Sequence, residues 1–582
     1  MNVFAQRVRV ASALAFAGAA ATLLLLQIGY SFEAGDQLQY LLLPYRALYA
    51  NFLPGDWFTW HTSHYHETFA WIVRGIHALC GASGFARGMF VVHVLNLAAF
   101  GYALFRLSHA LGFGRFEAAC CVLVFGLVRQ IGLAGAVVNH AGLVPSDLAL
   151  APFLLACATF AEGRTLATFA WLGVSGFLHA NYAVLGPLTL CPLLMTRCRS
   201  RRAVLRFALG CALFALLCAP TLWLVISSFL AHDSAPAAVA LTLFVRSPHH
   251  YDLAAMRPDQ FYYAVVLGLA ALPYALGRVG GAQRRRSYLQ LMAALSALIG
   301  FGFIGSGLHV LPLARLFTWR MSIPLFALWQ LAAARALYDY ARKRRWLELA
   351  WALGLWLLLL CFAQTDPLEA SPWNSLPRAA ALAAALLAIS GVLALWPLQR
   401  AATVRYGAAA LASVLALGVG LSVTHSRYWQ GAQFVAPRGL HLLDGPIALT
   451  TAPRPLYTAI RERTPADARF LAPPGHSQFR LQARRALFVD WKCAPMKGAE
   501  ALEWQRRMLA AMGATSFPAV GYELPRAADA AYAAQPLEAL AQLARRENLT
   551  HVLVRSDERP PPPSLRRLFT SGAYVVYAVV QP

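Results

Sequence analysis

Residues 31–69 read SFEAGDQLQYLLLPYRALYANFLPGDWFTWHTSHYHETF. The stretch carries the acids Glu33, Asp36, Asp56 and Glu67 and the histidines His61, His64 and His66, and it follows a long apolar run, Val10 to about Tyr30. A run of that length crosses a bilayer core of roughly 30 Å. It is too long for the apolar region of a cleaved signal peptide, so it reads as an uncleaved first helix. Arg7 and Arg9 before it predict a cytoplasmic N-terminus, which places the polar stretch, loop 32–67, on the outer side. Phe69–Leu79 is apolar but short and holds Arg74 and His77, the pattern of an interfacial or partly inserted helix.

Further apolar runs follow at Met89–Leu111, Glu117–Val138, Leu143–Phe160, Ala203–Phe229, Phe261–Leu276, Leu289–Ile304, within Leu308–Tyr340, and at Trp346–Ala363, Ala379–Leu398 and Tyr406–Val423. Leu166–Met195 is too long for one span and basic at both ends, which predicts two short or re-entrant helices meeting near His179, Asn181 and Tyr182. The total is about 13 crossings. Charged residues make up 13% of the chain, against about 25% in soluble domains. The net charge of +24 comes from short basic clusters, such as Arg284–Arg286 and Arg342–Arg345, on alternate loops. That is the positive-inside pattern rather than a nucleic-acid-binding surface. The ten cysteines form no CxxC pair, so neither a zinc nor a disulfide framework is indicated.

From Thr424 the composition turns polar and Pro- and Arg-rich, dividing the chain into a membrane part, 1–423, and a domain, 424–582. Ala468–Leu471, Ala486–Val489, His551–Arg555 and Tyr574–Val580 read as strands, and Glu500–Met512 and Leu537–Glu547 as amphipathic helices. The expected fold is an α-helical polytopic membrane protein with a small C-terminal α/β domain on the extracytoplasmic side.

Several polar groups sit where an apolar chain keeps few. Asp36 and Glu33, just past the outer end of the first span, are candidate catalytic carboxylates. Partial desolvation there predicts a raised Asp36 pKa, suited to a general base. His61, His64 and His66 with Asp56 admit a divalent metal, although interfacial packing of His and aromatic residues gives the same pattern. His179 and Asn181, at the helix break, are candidate substrate contacts because polar groups at membrane depth face cavities. His249, His250 and Tyr251 lie in another outer loop. Arg315 and Arg320 lie on the outer side against the positive-inside bias, and an arginine fork matches a phosphate. Arg484, Arg485 and Lys492 form a basic cluster in the domain, suited to anionic headgroups or a pyrophosphate. No GxSxG, P-loop, HExxH or dinucleotide fingerprint is present.

A first span, an outer loop with an acid just after the membrane, a loop helix, many spans with short broken helices and an outer α/β domain together resemble the GT-C class of polytopic glycosyltransferases. The resemblance implies a sugar donor carried on polyprenyl phosphate and an essential acid in the first outer loop. Asp36, in Phe32-Glu33-Ala34-Gly35-Asp36-Gln37, occupies that place. The sequence departs from the many GT-C loops that carry adjacent acids, since Glu33 and Asp36 are three residues apart. The strings GDQLQYLLLPYR, RSPHHYD and FRLQARRALFVDWKCAPM also look like those of uncharacterised bacterial multi-pass membrane proteins, which implies the bacterial inner membrane. Partners implied are membrane lipid and a polyprenyl-phosphate-linked sugar, with no nucleic acid. A transporter or flippase of a lipid-linked or anionic substrate, or a non-catalytic membrane assembly component, accounts for the same topology.

Overall fold

The computed structural model describes residues 3–63, 66–127, 132–230, 236–256, 258–277, 285–361, 454–495, 497–556 and 560–580. Long helices dominate the first part: α1 (Val3–Ile28), α2 (Glu67–Ala110), α3 (Arg115–Leu127), α4 (Pro145–Ala161), α5 (Thr165–Leu178), α6 (Ala180–Met195), α7 (Arg201–Leu230), α8 (Pro258–Ala275), α9 (Arg285–Gly307), α10 (Ser322–Arg342) and α11 (Trp346–Cys361). The expected spans Ala379–Leu398 and Tyr406–Val423, and the boundary at Thr424, lie outside the described residues.

Three of these helices, Glu67–Ala110, Arg201–Ser227 and Arg285–Gly307, are long and apolar enough to cross a membrane. Helix α7 presents Leu209, Leu216 and Trp223 outward. A water-facing helix would put polar groups on its outer face, so these side chains mark the lipid-facing surface of a multi-pass membrane protein.

Two expected interruptions appear in the backbone. The interfacial segment Phe69–Leu79 and the span from Met89 belong to α2, which bends at Gly81, whose φ of 66° and ψ of 174° are non-helical. Glycine reaches that conformation at little steric cost. The break between α5 and α6 falls on His179, which is extended at φ −155° and ψ 129°, and whose Nδ1 accepts the Asn181 N–H at 3.2 Å. His179 thereby satisfies one of the free donors at the start of α6.

Small residues set the closest helix approaches. A Cβ on Gly101 of α2 would overlap the Cβ of Ala20 on α1. Gly101→Val is therefore expected to push α1 off α2 and cost about 1–3 kcal/mol. A lowered melting temperature in detergent would report it, and an unchanged one would contradict the tight crossing.

The C-terminal part is a mixed five-stranded sheet of β1 (Arg469–Leu471), β2 (Ala486–Leu487), β3 (His551–Arg555), β4 (Leu565–Ser571) and β5 (Tyr574–Val579), in the order β2-β1-β3-β5-β4. β1 runs parallel to β2 and β3, while β5 is antiparallel to both β3 and β4. Helices α12 (Pro455–Arg463), α13 (Gly498–Met512), α14 (Leu524–Ala534) and α15 (Leu537–Arg546) accompany the sheet. The four expected strands and both expected helices are present. β4, α12 and α14 were not anticipated. β4 is an edge strand with mostly exposed side chains, so LRRLFTS lacks the alternation that marks a half-buried strand.

On α14, Asp529 accepts the Gly475 N–H at 2.6 Å, and burial pushes its carboxyl up to about 6 from an ordinary 3.8. The folded state then holds this proton more tightly than the unfolded state, so domain stability falls as pH rises from about 4 to 6 and stays lower above that. Asp529→Asn is expected to remove this fall and raise the melting temperature at neutral pH. A variant whose melting curve tracks the parent across pH 4 to 7 would contradict it.

Two loop segments dock on this domain. Leu41, Tyr45, Phe52 and Phe58 of the first loop share one apolar cluster with Leu481 and Cys493. Ala238 and Leu241 of the later segment join Trp491, Trp504 and Met508 in another.

Candidate active site

The first loop is held in place by its own backbone and by Gln37. Gln37 is buried, accepts the Glu33 N–H at 2.8 Å and donates to the Leu143 carbonyl at 3.1 Å. Ser31 N donates to the Ala141 carbonyl at 2.6 Å. These bonds bring Asp36, at the start of the short helix Gln37–Tyr40, against the 139–144 turn.

Asp36 meets two basic side chains. Lys492 Nζ lies 2.5 Å from Oδ1, and His140 Nε2 lies 3.5 Å from Oδ2. His140 is anchored in turn by Asp147 in the first turn of α4: Nδ1 lies 2.9 Å from Asp147 Oδ1, and the His140 N–H donates to Oδ2 at 2.7 Å.

Two arginines complete the polar surround. Arg320 stacks on the Phe317 ring at 5.2 Å, and its charge acts on Tyr40, His140, His179, Tyr182, His250 and Tyr251. Arg246 ends the turn Leu241–Arg246, lies over Trp491 at 4.1 Å and donates to the Lys492 carbonyl at 3.2 Å. The Nε of each is buried without a hydrogen-bond partner. Such orphan donors are costly unless a ligand or water takes them.

His249 stacks on Tyr522 of the domain at 3.9 Å, His250 Nδ1 donates to the Ala134 carbonyl at 2.5 Å, and Tyr251 packs against Phe317 at 5.4 Å. The histidines of this loop thus reach the same region as Asp36, whose carboxylate feels His250.

The electrostatics correct one expectation. Burial alone would raise the Asp36 carboxyl, as the sequence predicts, but Lys492 and then His140 outweigh it and hold the group below the usual carboxylate range. Asp36 is therefore a firmly ionised carboxylate and a weak proton acceptor. His140 is shifted upward: burial opposes its charge, but Asp147 and then Asp36 favour it. Burial pushes His250 down to about 4, against the opposing pull of the Ala134 carbonyl.

Other expected site residues fall elsewhere. Glu33 accepts from Tyr45 Oη at 2.7 Å and Arg484 Nη2 at 2.6 Å, so this pair ties loop to domain. Arg485 turns into the domain and donates to the carbonyls of Arg461 and Thr464, both at 2.6 Å, which removes it from the basic face expected of it. Arg315 sits half-buried on the short helix Leu311–Arg315 and acts on Tyr251. Asn181 donates to the Leu316 carbonyl at 3.1 Å and so holds that turn rather than facing open space.

The metal reading of the first loop is not supported by its geometry. Asp56 Oδ1 accepts the Thr59 N–H, and Oδ2 accepts from Arg480 Nε at 2.8 Å and Leu487 N at 2.9 Å. His61 is exposed, and His66 packs between Tyr40 and His179 at 4.5 and 5.4 Å. His64 lies outside the described residues. Among the described residues no three His, Cys, Asp or Glu side chains gather around one point.

His140, Asp147, Tyr40 and Arg246 were not singled out from the sequence. Asp147 carried a signal, as an acid at the mouth of an apolar run, and His140 lay in an outer turn without Lys or Arg. Their pairing across that turn is a tertiary fact.

A family model described as Domain of unknown function (DUF6798) matches residues 452–511, the segment that holds Arg480, Asp490 and Lys492. The comparison with curated proteins returned no match. Among solved structures, the chain is similar to ArnT from Cupriavidus metallidurans in the apo state, at 15% identity over 99% of this chain and 98% of that one, with a TM-score of 0.48. The same protein bound to undecaprenyl phosphate gives 15% identity over 100% and 99%, with a TM-score of 0.47. The archaeal oligosaccharyltransferase AglB from Archaeoglobus fulgidus, in complex with an inhibitory peptide and a dolichol-phosphate, gives 10% identity over 95% and 70%, with a TM-score of 0.47. ArnT and AglB are GT-C glycosyltransferases, the class the sequence resembles. At these TM-scores no residue of this chain is matched to one of theirs.

Proposed function

We propose that this chain is a multi-pass membrane glycosyltransferase of GT-C type, moving a sugar from a polyprenyl-phosphate carrier to an acceptor on the extracytoplasmic side of a bacterial inner membrane, with its N-terminus cytoplasmic. The observation that carries the proposal is one arrangement: the ionised Asp36 carboxylate between Lys492 and His140, with Arg320 and Arg246 nearby, each holding a buried, unpartnered Nε.

Glycosyl transfer from such a donor separates a sugar from a phosphate, and negative charge builds on the departing oxygen. Arg320 and Arg246 supply fixed donors for that anion in a partly dry setting, where charge-assisted bonds are strong. Asp36 holds and orients the acceptor through Oδ2 and favours positive character on the sugar carbon. His249, His250 and Tyr251 border the acceptor side together with Tyr522 of the domain.

Purified protein in lipid nanodiscs, supplied with polyprenyl-phosphate sugars and candidate acceptors, is expected to release free polyprenyl phosphate. Movement of an intact lipid-linked or anionic substrate across the bilayer, with no carrier released, would overturn the proposal in favour of a transporter or flippase. Neither release nor movement would favour a non-catalytic assembly component.

A further inference from the structure

We propose that His140, held by Asp147, takes the proton from the acceptor during transfer, while Asp36 orients that acceptor. The inference rests on the glycosyltransferase reading above, and it moves to His140 the general-base role for which the sequence offers Asp36.

The geometry sets the division. Asp147 is 2% exposed, and both its oxygens are engaged by His140, one by the ring Nδ1 and one by the backbone N–H, with Ser146 Oγ adding a bond to Oδ1 at 3.3 Å. A carboxylate at Nδ1 keeps the proton on that nitrogen, so in the neutral ring Nε2 carries the lone pair. Nε2 faces Asp36 Oδ2 at 3.5 Å, while Lys492 occupies Oδ1. A hydroxyl oxygen about 2.8 Å from both Nε2 and Oδ2 closes a triangle of ordinary hydrogen-bond sides. The single hydroxyl proton then points between Nε2 and Oδ2 as a three-centre hydrogen bond, held by the Asp36 carboxylate and open to capture by Nε2.

Electrostatics assign the roles within the triangle. Lys492 and His140 lower the basicity of Asp36, whereas Asp147 and Asp36 raise that of His140. The charged and titratable groups facing the His140 ring are Asp147 on α4, Asp36 with its partner Lys492, Arg320 before α10 and His93 on α2. Arg320 opposes protonation of the ring, which helps return it to the neutral form after each turnover.

The step balances. The acceptor oxygen forms a bond to the sugar's anomeric carbon as the bond from that carbon to the phosphate oxygen breaks. The bonding pair leaves on the phosphate, giving free polyprenyl phosphate. The acceptor proton goes to Nε2 and then to water.

The test is the pH dependence of carrier release by the full chain in nanodiscs. In the parent protein the rate is expected to rise with pH as His140 loses its proton. Asp147→Asn removes a carboxylate that favours the charged ring, so this rise is expected to move to lower pH in a variant that still turns over. His140→Gln is expected to lower the rate about 100-fold or more and to abolish the rise. If the parent is active and either variant keeps the parent's pH profile, His140 is not the acceptor of the proton and the transferase reading stands. If the parent releases no carrier from any donor, the transferase reading fails and this inference fails with it. Melting temperatures of both variants separate lost chemistry from lost fold.

Discussion

Asp36→Asn is expected to lower carrier release about 100-fold or more while leaving the protein folded. Asparagine keeps the shape of the side chain and one oxygen, so the short helix Gln37–Tyr40 and the Gln37 bond to the Leu143 carbonyl persist. What disappears is the charge. Lys492 Nζ, now 2.5 Å from a carboxylate oxygen, would face a neutral amide, and His140 would lose one of the two acids that favour its protonation. An acceptor hydroxyl then lacks its ionic anchor, and the positive sugar carbon of the transition state lacks its counter-charge. Because Asp36 is held below the usual carboxylate range, its ionisation is complete at neutral pH, and the loss is expected at every pH where the parent works. Single-turnover release of polyprenyl phosphate measures this directly. A variant that keeps the parental rate removes Asp36 from the mechanism.

Arg480→Met is expected to have the largest effect on folding. Arg480 is 1% exposed and serves three partners: Nε donates to Asp56 Oδ2 at 2.8 Å, Nη1 to Asp490, and Nη2 to the Leu487 carbonyl at 3.0 Å. Burial opposes its charge, yet Asp56 and Asp490 together drive its pKa upward. Removing it leaves two fully buried carboxylates without a cation, a cost of about 3–5 kcal/mol. Asp490 also accepts the Cys493 N–H at 2.7 Å, so the same clamp sets the chain beside Lys492. The variant is expected to melt at lower temperature and to expose the domain to protease. The triple change Arg480→Met, Asp56→Asn and Asp490→Asn is expected to recover most of the loss, because it removes the stranded charges. Lysine cannot replace Arg480, since one ammonium does not reach three partners in a fixed fork. An Arg480→Met protein that melts with the parent would show that the buried triad contributes little.

Two clamps tie the domain to the membrane part and so to the proposed reaction site. Glu33–Arg484 and Asp56–Arg480 fasten the first outer loop to the domain, and Lys492 reaches Asp36 from the same domain segment. The sequence offers Glu33 and Asp36 as catalytic carboxylates and Asp56 as a candidate metal ligand. In the structure they divide: Glu33 and Asp56 pair with arginines and hold the loop, and Asp36 meets Lys492 and His140.

Much of the helical layout was legible because its causes are local. A run of apolar residues must form its backbone hydrogen bonds internally in lipid, so length and composition alone locate a span. The break at His179 was legible for the same reason, since a segment too long for one crossing and basic at both ends has to turn back. The edge strand Leu565–Ser571 was not, because its apolar residues Leu565, Leu568 and Phe569 follow no two-residue period and its place depends on pairing with Tyr574–Val579. Asp36 was singled out from its position beside a span. Its protonation was misjudged, because desolvation can be guessed from depth, whereas the cation that reverses it lies 456 residues away.

By itself, then, the sequence determined the multi-pass helical character, the helix break at His179 and the mix of strands and helices in the C-terminal part, and it singled out Asp36, all of which follow from hydropathy and charge along the chain. The tertiary structure alone decided which acids are bound by arginine, that His140 sits between Asp36 and Asp147, and that Arg246 joins Arg320 with a donor unpaired. Those outcomes depend on distances of a few ångströms between residues far apart in sequence and on the burial that makes each charge strong, and neither quantity exists until the chain has folded.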